Sequence, residues 1–292
     1  MTLQVPASAA ARLRGLLARR AGVAAPGCHD ALGALLIAEA GFEAVSLSGY
    51  SVAASAGRPD IGLISGTQMA AAAAALVEAT PLPVIADADT GYGGIANIAE
   101  TVRAYERGGV AALHLEDQQN PKRCGAMASK SLVGEGEMAQ RLRAALAARR
   151  EMLVIGRTDA MSLHGLPEVI RRCRVMADAG VDAVMVPSLS SLADIDAVVK
   201  ASPVPVVHTV AETVRPLFTQ AQLAATGLGL VMYSITLIQA CVQLQRRILA
   251  TLRSDGTTVP FVDAMIPLAQ LTALLGAERH AAFENRILAS EG

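Results

Sequence analysis

Ala40-Gly41-Phe42-Glu43-Ala44-Val45, Gly108-Gly109-Val110-Ala111-Ala112-Leu113 and Ala179-Gly180-Val181-Asp182-Ala183-Val184 are one phrase written three times. In each, a helical stretch stops, glycine turns the chain and a short apolar run begins. Glycine just past a helix is a stop signal because it lacks the Cβ that disfavours a left-handed backbone. A short apolar run without polar alternation is a strand covered on both faces, as in a parallel sheet.

Outward from these phrases, the pattern predicts strands at residues 22–26, 44–48, 83–86, 111–116, 152–157, 183–186, 204–208 and 228–232. Helices are predicted between them at 31–40, 67–79, 97–107, 136–149, 167–179 and 192–200. Strands that alternate with helices imply a parallel sheet with the helices outside it. Eight such units favour closure into a (β/α)₈ barrel of the TIM type over an open sheet, and 292 residues leave room for one. No linker rich in Pro, Gly or Ser divides the chain, so residues 1–292 are expected to form one barrel domain with 262–292 as a C-terminal helical extension. Helices predicted at 234–254, 266–275 and 277–288 exceed what eight units need. Their surplus apolar surface leads us to expect a homo-oligomer.

The composition narrows the function. Apolar residues make up 52% and aromatics 3%, so the core must be built from Ala, Leu, Val and Ile. A net charge of −1 gives no general attraction to nucleic acid or anionic membrane, and any anion must be bound locally. The longest apolar candidate, 69–77, is too short to cross a bilayer. Arg12, Arg14, Arg19 and Arg20 give the N-terminus a faint likeness to a transit peptide, but it lacks serine and leads straight into a strand; an amphipathic first helix is expected instead. Cys28, Cys124, Cys173 and Cys241 are widely spaced, which fits reduced thiols and a cytoplasmic location.

In a barrel of this kind the chemistry sits in loops that follow the strand ends. The third strand runs into Asp87-Ala88-Asp89-Thr90-Gly91-Tyr92-Gly93-Gly94, the fourth ends in Glu116-Asp117-Gln118 and the fifth in Arg157-Thr158-Asp159. Carboxylates two residues apart at a strand end point the same way. Several acids with one arginine suit Mg²⁺, or Mn²⁺ in its place, holding an anionic substrate, since Mg²⁺ takes few carboxylates and keeps waters while Arg grips a carboxylate as a fork. A single acid in such a place is often only a helix cap, a reading that Asp117 and Asp159 admit. Next comes Asn120-Pro121-Lys122-Arg123-Cys124-Gly125. A thiol between cations and glycine is placed to exchange a proton near neutrality, whereas the other three cysteines lie in apolar patterns and read as core.

These stretches, together with Ser46-Leu47-Ser48-Gly49-Tyr50, Gly57-Arg58-Pro59-Asp60 and His114-Leu115, resemble the isocitrate lyase and phosphoenolpyruvate mutase superfamily along the whole chain. The likeness is greatest to 2-methylisocitrate lyases and to proteins labelled carboxyphosphonoenolpyruvate mutase. The resemblance implies a (β/α)₈ barrel whose last helix is swapped between subunits. It implies that Asp87 is the principal metal ligand, and that Asp60, Asp89 and Glu116 hold the metal's waters. Ser48, Gly49 and Tyr50 match a loop that binds the carboxylate of a 2-oxo acid, Arg157 the arginine that grips it, and Cys124 the catalytic thiol of the lyases. Lys122, Arg123 and Gly125 complete the thiol loop, and Tyr50 joins Cys124, Lys122 and Arg123 as a candidate catalytic group.

Four positions depart from the lyase pattern. Ala126 stands where histidine follows the thiol loop, Pro187 where the sixth strand ends in glutamate, Thr209 where asparagine precedes Glu212, and Ser234 where proline follows Tyr233. In the lyases these groups serve the part of the substrate farthest from the metal. The expected reaction is therefore C–C cleavage of a malate-like 2-hydroxy acid with a smaller or less charged substituent than 2-methylisocitrate, with Thr209 or His208 assisting. Three alternatives remain open at this point: decarboxylation of an oxaloacetate-like acid, P–C bond chemistry on a phosphonate, and 2-oxo-acid binding without turnover.

Overall fold

The computed structural model describes residues 7–125 and 129–289. Eight parallel strands, β1 (Val23–Cys28), β2 (Val45–Leu47), β3 (Val84–Asp87), β4 (Ala112–Glu116), β5 (Leu153–Arg157), β6 (Ala183–Pro187), β7 (Val206–Thr209) and β8 (Leu230–Tyr233), close into a barrel in sequence order. The closing pair sets Val23 against Leu230 and Pro26 against Tyr233. Each strand lies within two residues of its predicted position, so the expected (β/α)₈ architecture is the one observed.

Side chains alternate along each strand. Val84, Ala86, Leu113, Leu115, Val154, Val184, Val206 and Val231 join the helices in the outer core. Ile85, Ala112, Leu153, Ile155, Ala183, Met185, Val207, Leu230 and Met232 fill the barrel interior. The parity of this alternation decides where the polar residues go. Asp87, two after Ile85, faces inward; so do His114 and Glu116 after Ala112, Arg157 after Ile155, Pro187 after Met185 and Thr209 after Val207. His208 has the opposite parity and faces the outer layer, with its Nδ1 3.4 Å from the Val186 carbonyl oxygen.

The first helix, Ala9–Ala18, plugs the N-terminal end of the barrel with Leu13, Leu16 and Leu17. Its arginines are used there. Arg14 pairs with Asp182 at 2.6 Å, Arg19 with Glu43 at 2.7 Å, and Arg12 donates to the Pro81 carbonyl at 2.5 Å. The opposite mouth, where the strands end, stays open.

The chain divides into two compact units, Met1–Ile238 and Gln239–Gly292, so the division falls well before residue 262. The helix Thr236–Asp255, which crosses it, has no buried residue. In the second unit a 3₁₀ turn (Val259–Ala264) and the helices Leu268–Leu274 and Ala277–Ala289 follow. Here the sequence reading is corrected: Val259–Ala289, not 69–77, is the stretch apolar enough to resemble a membrane span, with a mean hydropathy of 1.5. Pro267 and Gly276 break it, however, and at 1.5 Å per residue its longest helix reaches roughly 20 Å, short of the roughly 30 Å bilayer core.

Candidate active site

At the open mouth lies a cavity of about 610 Å³. Its wall contains Ser48, Tyr50, Asp60, Asp87, Lys122, Cys124, Gly125, Arg157 and Thr209, which sequence reading had assigned to the site from separate parts of the chain. Asp89 and Glu116 reach it through wall residues: Asp89 Oδ1 lies 2.6 Å from Lys122 Nζ, and Glu116 Oε2 lies 3.2 Å from Arg157 Nη2. Gly49 donates its amide to Asp87 Oδ2 at 3.3 Å. Glycine is required there, since a Cβ would stand 2.7 Å from that oxygen. The side chain of Arg123 is not part of the wall; its backbone is bonded to the Gln118 amide.

The loop after β3 is tightly wound. Asp89 has a positive φ of 46°, uncommon for a residue with a side chain and a form of strain that collects at functional sites. It brings the Asp89 amide back to Asp87 Oδ1 at 3.1 Å. Lys122 is shared between Asp89 and Asp60, and Asp60 also accepts the Cys124 amide on its backbone carbonyl at 3.0 Å. The metal-side acids and the thiol loop are thus joined by one lysine and one backbone bond.

Burial alone would raise the Asp87 carboxyl, but His114, Lys122 and Arg157 outweigh it and hold the group well below the usual carboxylate range. Asp89 is pushed up by burial and by the charge of Asp87, and Glu116 by burial, which Arg157 offsets only in part. Burial disfavours a charged Lys122, yet Asp89, Asp87, Glu116 and Asp60 keep its ammonium protonated. His114, 3.4 Å from Asp87, is pushed down to about 4 by burial and is neutral at pH 7.

Five carboxylates (Asp60, Asp87, Asp89, Glu116 and Asp159) therefore face two cations, Lys122 and Arg157. Buried Glu116 Oε1 has no donor, and Arg157 Nε has no acceptor. A divalent cation with its waters and an anion would supply both, so these residues fit Mg²⁺ with a carboxylate ligand. Among the described residues no three His, Cys, Asp or Glu side chains are spaced to hold an ion by themselves.

The far wall is different. Met185, Pro187, Val210, Ala211, Val214 and Ile235 line it, with the hydroxyls of Ser188, Thr209 and Ser234. Thr209 Oγ1 is buried without a hydrogen-bond partner. Three of the four departures from the lyase pattern, Pro187, Thr209 and Ser234, thus lie on this wall; the fourth, Ala126, is outside the described residues. His208, offered from sequence as an aid to the substrate, does not line the cavity.

Sequence reading missed His114, Gln118 and the true work of two acids. Asp117 caps no helix: it accepts from Thr158 Oγ1 at 2.7 Å, Arg172 Nη1 at 3.0 Å and the Asp159 amide at 3.1 Å. Asp159 pairs with Arg157 at 3.2 Å and accepts from Gln118 Nε2 at 2.6 Å. The inward parity of His114 was legible in the sequence, but Thr158 and Arg172, which hold Asp117, and Gln118, which holds Asp159, come from parts of the chain 41 or more residues away.

A family described as phosphoenolpyruvate phosphomutase matches residues 13–253. The chain is 36% identical to 2,3-dimethylmalate lyase of Eubacterium barkeri, over 92% of this chain and 95% of that one. It is 34% identical to 2-methylisocitrate lyase of Halalkalibacterium halodurans, over 94% and 92%. A solved structure of phosphonopyruvate hydrolase in complex with oxalate and Mg²⁺ superposes with a TM-score of 0.88 at 32% identity, covering 97% of this chain and all of the other.

Proposed function

Because this chain belongs to the phosphoenolpyruvate phosphomutase family, we propose that it is a Mg²⁺-dependent lyase that cleaves alkyl-substituted malates to a 2-oxo acid and a carboxylate. That it is a carbon–carbon lyase follows from its match to two such lyases along more than nine-tenths of its length. The metal and the substrate are the proposal. One observation carries the substrate: of the three cations on the cavity wall, Lys122 and Arg157 are each engaged by two acids, while Lys130, whose Nζ donates to the Gly125 carbonyl, has no acid partner among the described residues. Two substrate carboxylates then find partners, one at Arg157 and one at Lys130. A third, as 2-methylisocitrate would bring, meets apolar groups and hydroxyls, and an unpaired buried charge is costly.

In this proposal Asp87, Asp60, Asp89 and Glu116 are the residues that would hold the ion and its waters. When bound, Mg²⁺ supplies a Lewis acid that makes the substrate hydroxyl easier to deprotonate. Arg157 and the backbone of Ser48 and Gly49 orient the 2-hydroxy carboxylate. Lys122 is held charged, so the hydroxyl proton passes to a carboxylate. Asp89, whose affinity for a proton is raised by burial and by the charge of Asp87, takes it, and Tyr50 on the cavity wall orients the substrate with its phenol as a hydrogen-bond donor. The C2–C3 bond breaks, its electron pair passes to C3 and is spread into the carboxylate there, and Cys124 returns a proton to C3. Arg123 and Gly125 shape the loop that carries the thiol. The same proposal places the enzyme in the cytosol, where thiols stay reduced, and as a dimer or tetramer. Exposed Leu249, Val259, Leu268, Phe283 and Leu288 in the second unit favour contact with further copies.

The test is release of 2-oxo acid from a panel of alkylated malates, citramalate, oxaloacetate and 2-methylisocitrate, coupled to lactate dehydrogenase, with and without EDTA. Turnover of an alkylated malate that EDTA abolishes is expected. Fastest turnover of 2-methylisocitrate, or release that ignores EDTA, contradicts the proposal. Decarboxylation is a second reading, because the far wall makes few demands on a substrate; it requires that Cys124→Ser leave oxaloacetate turnover intact.

A further inference from the structure

Gln118 follows the acids at the end of β4 and is 1% exposed. Both donors and the oxygen of its amide are in use. Its Oε1 accepts from the Arg123 amide at 2.9 Å, and its Nε2 donates to the Arg123 carbonyl at 2.9 Å and to Asp159 Oδ2 at 2.6 Å. The residue is itself anchored: its carbonyl accepts from Arg141 Nη1 at 2.9 Å, and it forms an isolated antiparallel bridge with Leu132. The two bonds to Arg123 bracket a single residue, the one before Cys124.

Asp159 Oδ2 is shared with Arg157 Nη2 at 3.2 Å. Gly125, on the other side of the thiol, rests against the same pair, where a Cβ would meet Arg157 Nη2 at 2.9 Å and Asp159 Oδ1 at 3.2 Å. Both neighbours of Cys124 therefore lean on the Arg157–Asp159 pair, one through an amide and one through bare backbone.

We propose that Gln118 is a positioning residue that ties the Cys124 loop to Arg157, so that occupation of Arg157 by a substrate carboxylate sets the place of the thiol. A carboxylate on Arg157 competes with Asp159 for the guanidinium, and any shift of Asp159 passes through Gln118 Nε2 to the Arg123 backbone. Only an amide can do this. Glutamate would bring a second carboxylate against Asp159 and lose both donors. Methionine would keep the volume and lose all three bonds. The inference rests on the reading of Cys124 as proton donor.

The test uses the full-length enzyme as Gln118→Met and as Gln118→Asn; the latter stays polar but is one methylene too short to reach Arg123 and Asp159 together. With the best substrate of the panel, kcat is expected to fall about a hundredfold, as for a group misplaced by about an ångström. KM and the inhibition constant of oxalate should stay within about threefold, because binding at Arg157 is not removed. Alkylation of Cys124 by iodoacetamide, followed by mass spectrometry, should accelerate about tenfold as the loop opens more often. An unchanged alkylation rate in both folded variants overturns the inference. So does a loss of kcat that KM and the oxalate constant follow in step, which marks a structural role alone. Should Cys124→Ser keep full kcat, it is the donor reading that fails; the clamp is then judged by alkylation, where acceleration sustains it and no change overturns it.

Discussion

The mouth of the barrel has two sides built by one rule with opposite results. On β3, β4 and β5 the last inward-facing side chains are Asp87, Glu116 and Arg157; on β6 and β7 they are Pro187 and Thr209. The first side is charged, buried and cross-paired through Lys122 and Arg157. The second carries hydroxyls and apolar groups that bind nothing in particular. Buried charges must be satisfied together, and removing one leaves its partners uncompensated, so the charged side tolerates little change. The neutral side has no such constraint, so on the proposed function substitutions there would re-aim the enzyme at a different substituent. The contrast assigns the shared chemistry to one wall and the choice of substrate to the other.

The largest effect should come from the charged side. Asp87→Ala should lower kcat/KM by about 10⁴-fold, since it removes the group assigned to the metal, and Mg²⁺-dependent oxalate binding measured by calorimetry should vanish with it. Retained oxalate binding would dissolve the division between the walls. Cys124→Ser comes next. A misplaced or weakened general acid should cost about 10³-fold in kcat while oxalate binding persists, because the thiol belongs to proton transfer and not to the anion's grip. Steady-state rates alongside oxalate inhibition separate the two.

Substitutions on the neutral side should act on choice alone. Thr209→Val should change the ratio of kcat/KM between two alkylated malates by about tenfold, the scale of a small change in an apolar pocket, and leave the oxalate constant where it was. The smallest effect concerns His208, the imidazole of β7 that faces away from the mouth. Burial pushes it down to about 4 from an ordinary 6.5. Between these values the unfolded chain takes up a proton that the folded chain refuses, so stability falls as pH falls from 6.5 towards 4. The loss amounts to about 2 kcal/mol between pH 7 and pH 5. Urea denaturation at the two pH values should show that difference shrink in His208→Gln, with kcat unaltered.

The two sides also differed in how far the sequence disclosed them. The barrel was legible because glycine stops and apolar runs are local signals, and eight of them repeat. The acids were legible because they follow the strands directly and the parity of a strand tells which way they point. Other features depended on parts of the chain brought together only by folding. Gln118 looked like one more polar residue after a strand, yet it bonds to a loop residue five positions on and to an acid just past β5. Asp117 and Asp159 looked like caps until Thr158 and Arg172 came against the first and Gln118 and Arg157 against the second. His208 was put in the site from its neighbour Thr209, though one residue along a strand reverses the face. The arginines near the N-terminus resembled a targeting signal; Arg14 and Arg19 pair with Asp182 and Glu43, and Arg12 donates to the Pro81 carbonyl, at the closed end of the barrel.

A crystal structure of the protein with Mg²⁺ and oxalate tests the separation of the two walls most directly. The expected result is one ion beside Asp87, with oxalate contacting Arg157 and the Gly49 backbone and leaving Pro187, Thr209 and Ser234 untouched. Oxalate bound among Thr209, Ser234 and Lys130, with Asp87 bare, would contradict it.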